Sequence, residues 1–463
     1  MTTESRPVER PGLTEVQVRT GLRLSVVEGA FASGHLALTG GMFLTGLALL
    51  LGANAFQIGL LAAIPAVTAV FSFLATLLVR RFGARRSLTV WAAGVGRTLF
   101  VVLAGLLLLR ARIDLGLFFA VVVGYNVLLA IANISWNSWM RDLVPEARRG
   151  RYLGMRNALL GGVTMVLTYG GASVLDRLKV TDPELGYGLA FVIAVCFGLI
   201  SALLLARQPE PPMAPSPRVP VRERLFGPLN EPQFRRLVIF MAFWFLTGTL
   251  ASPFYMAHLI TNLEFPFTLI GVYAVLGGTT GILFLLMWGW VIDRFGSKPV
   301  TVACFAVVGV MPLLWVVATS TFRLPIWIDA VLNGIAWSGA NLGLLNMVLA
   351  LGDRPERKES YFAVFAVVVG LATFISSLLG GVIAQLLVNF RITLFGREFI
   401  NYHVLFLATG LLRFAGLPLL ARIEVRRSRK VVRTIRVLGS FALRRLNYGK
   451  GVFLDSLRIR SRG

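Results

Sequence analysis

The sequence is poor in charge, poorest in acid, and nearly without cysteine and histidine. Only 15% of its 463 residues are charged, and Asp and Glu number 22 against 46 Lys and Arg; soluble domains carry about 25% charged residues. That deficit argues against a cytosolic enzyme, a disordered chain or a secreted domain. The two cysteines, Cys196 and Cys304, lie inside apolar runs with no CxxC or Cys/His spacing, which excludes a disulfide framework and a thiolate metal site. His35, His258 and His403 stand far apart in sequence, so no histidine metal site is expected. No phosphate-cradling glycine loop and no nucleophile constellation is evident, which argues against an ATP-driven pump and against an enzyme. No cofactor and no metal is expected.

What the chain has is apolar length: 56% of it is hydrophobic. A helix needs about 20 apolar residues to cross a bilayer core. Twelve runs qualify, roughly 24–53, 56–79, 87–109, 115–139, 157–175 and 187–206, then 237–262, 266–292, 299–319, 325–352, 361–389 and 402–421. None alternates over about 10 residues as barrel strands do, so the spans are helices. The polar start from Met1 to Arg23 and the length of the first run argue against a cleavable signal. Lys and Arg sort sharply: 37 of the 46 fall in the termini and in the loops on one side, 7 on the other, with Arg97 and Arg413 inside spans. The positive-inside rule then puts both termini in the cytoplasm. The formal net charge of +24 reads as a topology signal, and no nucleic-acid partner is expected.

One proline-rich break, 207–236, divides the chain, with six spans on each side. The boundaries follow: an N-terminal cytoplasmic segment 1–23, a six-helix bundle 24–206, a linker 207–236, a second bundle 237–421 and a basic tail 422–463. The halves repeat. Ile58-Gly59 is matched by Ile270-Gly271, Arg81-Phe82-Gly83 by Arg294-Phe295-Gly296, Pro145-Glu146 by Pro355-Glu356, and Tyr152 by Tyr361, at offsets of 209 to 213 residues. Internal repeats of this kind mark secondary transporters, with a site near the midplane where the repeats meet.

Gly289, Asp293, Arg294, Gly296 and Lys298 resemble the cytoplasmic loop signature of the major facilitator superfamily, and Arg80, Arg81, Gly83 and Arg85 resemble its first-half copy. Trp136, Arg141, Pro145, Glu146, Arg149 and Tyr152 are similar to a pattern in bacterial members. The resemblance covers about residues 22–425 and implies an all-α membrane protein: twelve transmembrane helices in two pseudo-symmetric six-helix bundles. It also implies a cytoplasmic gate of ion pairs. The first-half copy departs from the signature, with Arg80 where the acid belongs, so the expected pairings are Arg80 and Arg81 with Asp353, Glu356 and Glu359, and Asp293 with Arg141, Arg148 or Arg151. Span four holds no arginine and span five no Gly-Pro, both of which argue against a drug–proton antiporter.

A charge at mid-span costs roughly 2.5–3.5 kcal/mol on insertion scales. Glu28 and His35 lie two turns apart on one face of span one. Glu28 either carries a proton or binds a cationic group, or it pairs with Arg23 or Arg97; His35 is either a pocket contact or a packing residue. Arg97 lies too deep to snorkel; its reading is a pair with Glu28 first and an anion contact second. Asp329 and Arg413 are expected to reach an interface. The resemblance implies that spans 1, 4, 7 and 10 line the cavity, which adds Tyr125, Asn126, Asn133, Trp244, Tyr255, Trp337 and Asn341 to Glu28 and His35. Aromatics with scattered amides suit a small, partly apolar solute, and phosphorylated sugars and nucleotides are disfavoured.

In the tail, thirteen Lys and Arg face only Glu424 and Asp455. Val431, Ile435, Leu438 and Ala442 recur at helical spacing, so the tail is either an amphipathic helix on anionic inner-leaflet lipids or a disordered basic segment. The whole reads as a monomeric, gradient-driven permease of a bacterial inner membrane. The alternative is a non-transporting relative, a membrane assembly factor or sensor.

Overall fold

The computed structural model describes residues 12–68, 71, 84–212, 226–351, 358–394 and 396–424. Eleven helices among them are long and apolar enough to cross a membrane, and the shorter apolar helix Ala55–Thr68 lies where the second span is expected. In the first half the elements are α1 (Glu15–Leu38), α2 (Gly41–Leu50), α3 (Ala55–Thr68), α4 (Arg85–Thr98), α5 (Phe100–Leu108), α6 (Leu115–Leu143), α7 (Arg149–Leu178) and α8 (Pro183–Arg207). In the second they are α9 (Pro232–Gly248), α10 (Ser252–Thr261), α11 (Phe267–Phe295), α12 (Ser297–Val317), α13 (Leu324–Leu351), α14 (Lys358–Leu386) and α15 (Asn401–Ala421). A short hairpin, β1 (Arg391–Leu394) with β2 (Arg397–Ile400), joins α14 to α15 and was not expected from an all-helical reading.

Several helices outrun their apolar stretch. The first begins at Glu15, inside the expected polar segment, because Thr14 and Gln17 form a capping box that satisfies free amides of the first turn. The seventh span begins at Pro232, where a residue without an N–H suits the first helical turn. Hydropathy marks what lipid covers, and these helices continue past it.

The first span of each half is broken at the same place in the repeat. Leu38-Thr39-Gly40 ends α1, and Leu246-Thr247-Gly248 ends α9. After the first break Gly41 takes φ +50, a left-handed conformation that favours glycine. After the second, Pro253 opens α10. Gly296 takes φ +91 in the tight link between α11 and α12, so this signature glycine is dictated by backbone geometry.

Gln208 Nε2 donates to the Gly21 carbonyl, Lys298 Nζ to the Ala421 carbonyl, and Glu424 N to Gln233 Oε1. These contacts gather the described chain ends and the linker flanks at what we call the basic end. Core packing differs between the two ends. At the far end one continuous apolar core draws on both halves, with Leu47, Ala48, Ile58 and Phe100 joined to Phe254, Ala257, Phe267 and Phe406. Toward the basic end there are two separate cores, one around Ala92, Ile131, Trp139 and Leu205 and one around Phe234, Trp244, Val300 and Met347. The halves meet through α3 against α14, α7 against α11, and α10 against α2 and α3.

Candidate substrate path and its buried charges

Three buried charges of the first half form one cluster between α1, α4, α7 and α8. Ser201 donates to Glu28 Oε1 at 2.6 Å and accepts from Arg97 Nη1 at 2.6 Å, so one hydroxyl joins acid to base. Arg97 Nη2 lies 3.8 Å from Glu28 Oε1, and Arg156 Nη2 lies 3.7 Å from Glu28 Oε2. Arg156 Nε donates to the Ser25 carbonyl, and its guanidinium sits 4.6 Å from the centre of the Trp136 ring. Glycines make the room: a Cβ on Gly29 would lie 2.5 Å from Arg156 Nη2, and one on Gly198 would lie 2.8 Å from Arg97 Cβ. Of the two pairings open for Glu28, the geometry has Arg97. Arg156, Ser201 and Trp136 are the members that sequence reasoning missed.

His35 and Tyr125 are buried inside the first half. His35 Nδ1 is 2.9 Å from the Ala194 carbonyl oxygen, and its ring packs on Phe100 and Tyr125. In the second half Trp244 is buried against Phe240 and Phe305. Tyr255 stacks on Phe406 with centroids 4.9 Å apart and touches Trp315. Of the remaining cavity candidates, Asn126 is half-buried with its amide on the Val122 carbonyl, and Trp337 is half-buried. Asn133 on α6 and Asn341 on α13 are exposed at equivalent places in the repeat.

Two expectations are corrected. Asp329 and Arg413 do not reach an interface; both are buried in the second half. Asp329 Oδ2 accepts from the Tyr273 hydroxyl at 2.6 Å. Arg413 donates to the carbonyls of Gly248, at the α9 break, and Val308, at 2.7 and 2.9 Å. A chain break exposes carbonyls inside the bundle, and a fixed guanidinium satisfies them where water has no access.

The gate residues divide. Arg85 is fully buried and binds Asp142, Glu210 and the carbonyls of Ser138 and Pro211, all within the first half and its linker. Asp293 and Arg294 are exposed, and Arg294 lies over Trp290. Among the described residues no ion pair joins Asp293 to Arg141, Arg148 or Arg151. The α7–α11 packing includes Gly271 on Ala172 and Gly161 on Ile282. Arg80, Arg81, Gly83 and Glu356 lie outside the described residues, as does the tail beyond Glu424.

The halves are also tied at the far end. Asp176, at the end of α7, accepts from Phe267 N at 2.7 Å, from Thr268 N at 2.6 Å and from the Thr268 hydroxyl, and so caps α11 of the other half. Gly59 on α3 approaches α14 so closely that a Cβ there would lie 2.7 Å from Gly381 Cα.

The Major Facilitator Superfamily profile matches residues 29–281 and 237–453 of this chain. A comparison with curated proteins found no significant match. Among solved structures, a mutant of the nucleoside transporter NupG is similar, with TM-score 0.65 and 14% identity over 87% of this chain and 99% of that one. A bacterial metal transporter gives TM-score 0.63 and 14% identity over 87% and 98%. A bacterial homologue of the human lysosomal transporter Spinster, in an inward-facing and unoccupied conformation, gives TM-score 0.57 and 14% identity over 89% and 95%. At such identities the likeness shows the fold alone.

Proposed function

Because the chain belongs to the major facilitator superfamily, a family of membrane transporters, we propose that it moves a small, partly apolar solute by alternating access, driven by a gradient. The observation that carries this reading is the unequal packing of the two ends: one shared core at the far end and two separate cores at the basic end. Two bundles hinged in this way leave a cleft opening toward the basic end. Asn133 and Asn341, exposed at matching positions, are well placed to line it, with Asn126 and Trp337 behind them. His35, Tyr125, Trp244 and Tyr255 act as packing that holds each bundle rigid. Asp293, Arg294 and Lys298, with Arg80, Arg81 and Glu356, belong to the opposite state, in which the basic end closes.

The charge asymmetry supports an orientation with the basic end, and so both termini, in the cytoplasm, and the resemblance to bacterial members supports a bacterial inner membrane. The test is uptake by purified protein in proteoliposomes across a panel of small solutes, with and without an imposed proton gradient. Saturable uptake lost in Asn133→Leu with Asn341→Leu supports the reading. Equal flux in empty vesicles for every solute overturns it and leaves the assembly-factor alternative.

A further inference from the structure

We propose that Arg156 and Trp136 form a binding site for a singly charged oxyanion, the charged end of a ligand whose body is apolar. The inference rests on the transport reading for the ligand's route but on separate observations for the site.

The first observation is a charge imbalance. Glu28, Arg97 and Arg156 are 3%, 7% and 8% exposed, and among the described residues the only charges facing Glu28 are these two arginines. One carboxylate thus serves two guanidinium groups in a membrane interior, where an uncompensated charge is costly. The charges facing Arg156 come from Glu28 and, when ionised, Tyr152. The imbalance belongs to Arg156 more than to Arg97, because Arg97 is bonded through Ser201 to the carboxylate. Arg156 stands 3.7 Å from Glu28, and its own hydrogen bond goes to a neutral carbonyl.

The second observation is unused donors. Trp136 Nε1 is buried with no hydrogen-bond partner among the described residues, and so is Arg97 Nε. The indole lies beneath the Arg156 guanidinium, so an unpartnered N–H and an under-compensated cation occupy one place. Asn133 and Asn137, exposed on α6, lie within a turn of Trp136 in sequence, and Met155 and Leu159 on α7 present exposed apolar surface within a turn of Arg156.

Chemistry selects the class. A guanidinium fork with an adjacent N–H suits a carboxylate or a phosphodiester, both planar or near-planar pairs of oxygens. One surplus positive charge balances a monoanion; a dianion would leave the site negative. The same oxyanion could come from a soluble monocarboxylate or from the phosphodiester of an anionic lipid, and the experiment separates them.

Thermal unfolding of the full-length purified protein in neutral detergent is followed with hexanoate and with hexanamide, and again with phosphatidylglycerol and with phosphatidylcholine. The expected result is a saturable rise with hexanoate and none with hexanamide. Arg156→Gln removes the rise. Glu28→Gln, which keeps both arginines and increases the surplus, tightens the apparent binding roughly tenfold or more. A rise with phosphatidylglycerol alone, lost in Arg156→Gln, assigns the oxyanion to lipid. Equal response to acid and amide, or a response unchanged in Arg156→Gln, overturns the site. Should Arg156→Gln fail to fold, Glu28→Gln decides: no gain in anion response overturns the proposal. Proteoliposome uptake is measured separately, so transport without an anion response refutes the site and spares the transport reading, and the reverse result refutes the transport reading alone.

Discussion

Ser201 is the residue on which the first-half cluster turns. Its hydroxyl donates to Glu28 and accepts from Arg97, so Ser201→Ala leaves both buried charged groups short of a hydrogen bond. The expected cost is about 1–3 kcal/mol, read as a lowered unfolding midpoint in detergent, and Ser201→Thr should recover part of it. The second half buries a charge of its own, Asp329, against Tyr273. Tyr273→Phe removes the donor seen on Asp329 and should destabilise by a similar amount, while Asp329→Asn in the Tyr273→Phe background should restore stability because a neutral amide costs less to bury. Equal midpoints for Tyr273→Phe and the double variant would sink that account. Glu28 and Arg97 were legible as charges in apolar runs. Arg156 was not, because it follows a basic loop and counts there as a topology charge; only the partner glycine, Gly29, hinted at its space. His35, Tyr125 and Trp244 looked like path residues because helical periodicity says which residues share a face without saying whether that face meets the path or the bundle interior.

Among elements, one tight joint is that of α11 with α13. A Cβ on Gly334 would lie 2.2 Å from the Gly277 carbonyl oxygen and 2.6 Å from Gly281 N, both backbone atoms that cannot yield without moving a helix. Gly334→Ala should therefore cost about 1–3 kcal/mol as overpacking, against no loss for Gly162→Ala, where nothing lies within 4 Å. Unfolding midpoints of the two variants side by side check this. The glycine pair Gly277 and Gly281 is readable in sequence as a close-packing surface, but its partner Gly334 is not, since an isolated glycine carries no spacing signal. The helix breaks after Gly40 and Gly248 were hidden for a related reason. Hydropathy stays high across both, and the first span reads as one run although its hydrogen bonding stops and restarts at Gly41.

At the scale of the molecule, the two-half organisation was visible because repeats at a near-constant offset survive in the loops. Which ends of the halves touch was not visible, since contacts between residues far apart in sequence leave no local pattern. The structure puts those contacts at the far end, and Asp176 makes a polar one among them. A helix start with its first amides satisfied by a carboxylate from the other half is a tether that opening of that end must break. Charge-assisted bonds of this kind are worth about 1.5–3 kcal/mol, and each 1.4 kcal/mol changes a two-state ratio about tenfold. Asp176→Ala should therefore raise the population open at the far end by roughly tenfold or more. Gly59→Leu, a wedge between α3 and α14, should act in the same direction through a different helix pair. Spin labels at the exposed Asn54 and Asn389, on opposite halves at that end, report the change as a longer distance component in pulsed electron resonance. The two substitutions touch separate contacts, so their effects should add in the double variant. If the distance distribution is unmoved by both, closure is held by the shared apolar core alone and the Asp176 cap is only a helix terminus satisfied in passing.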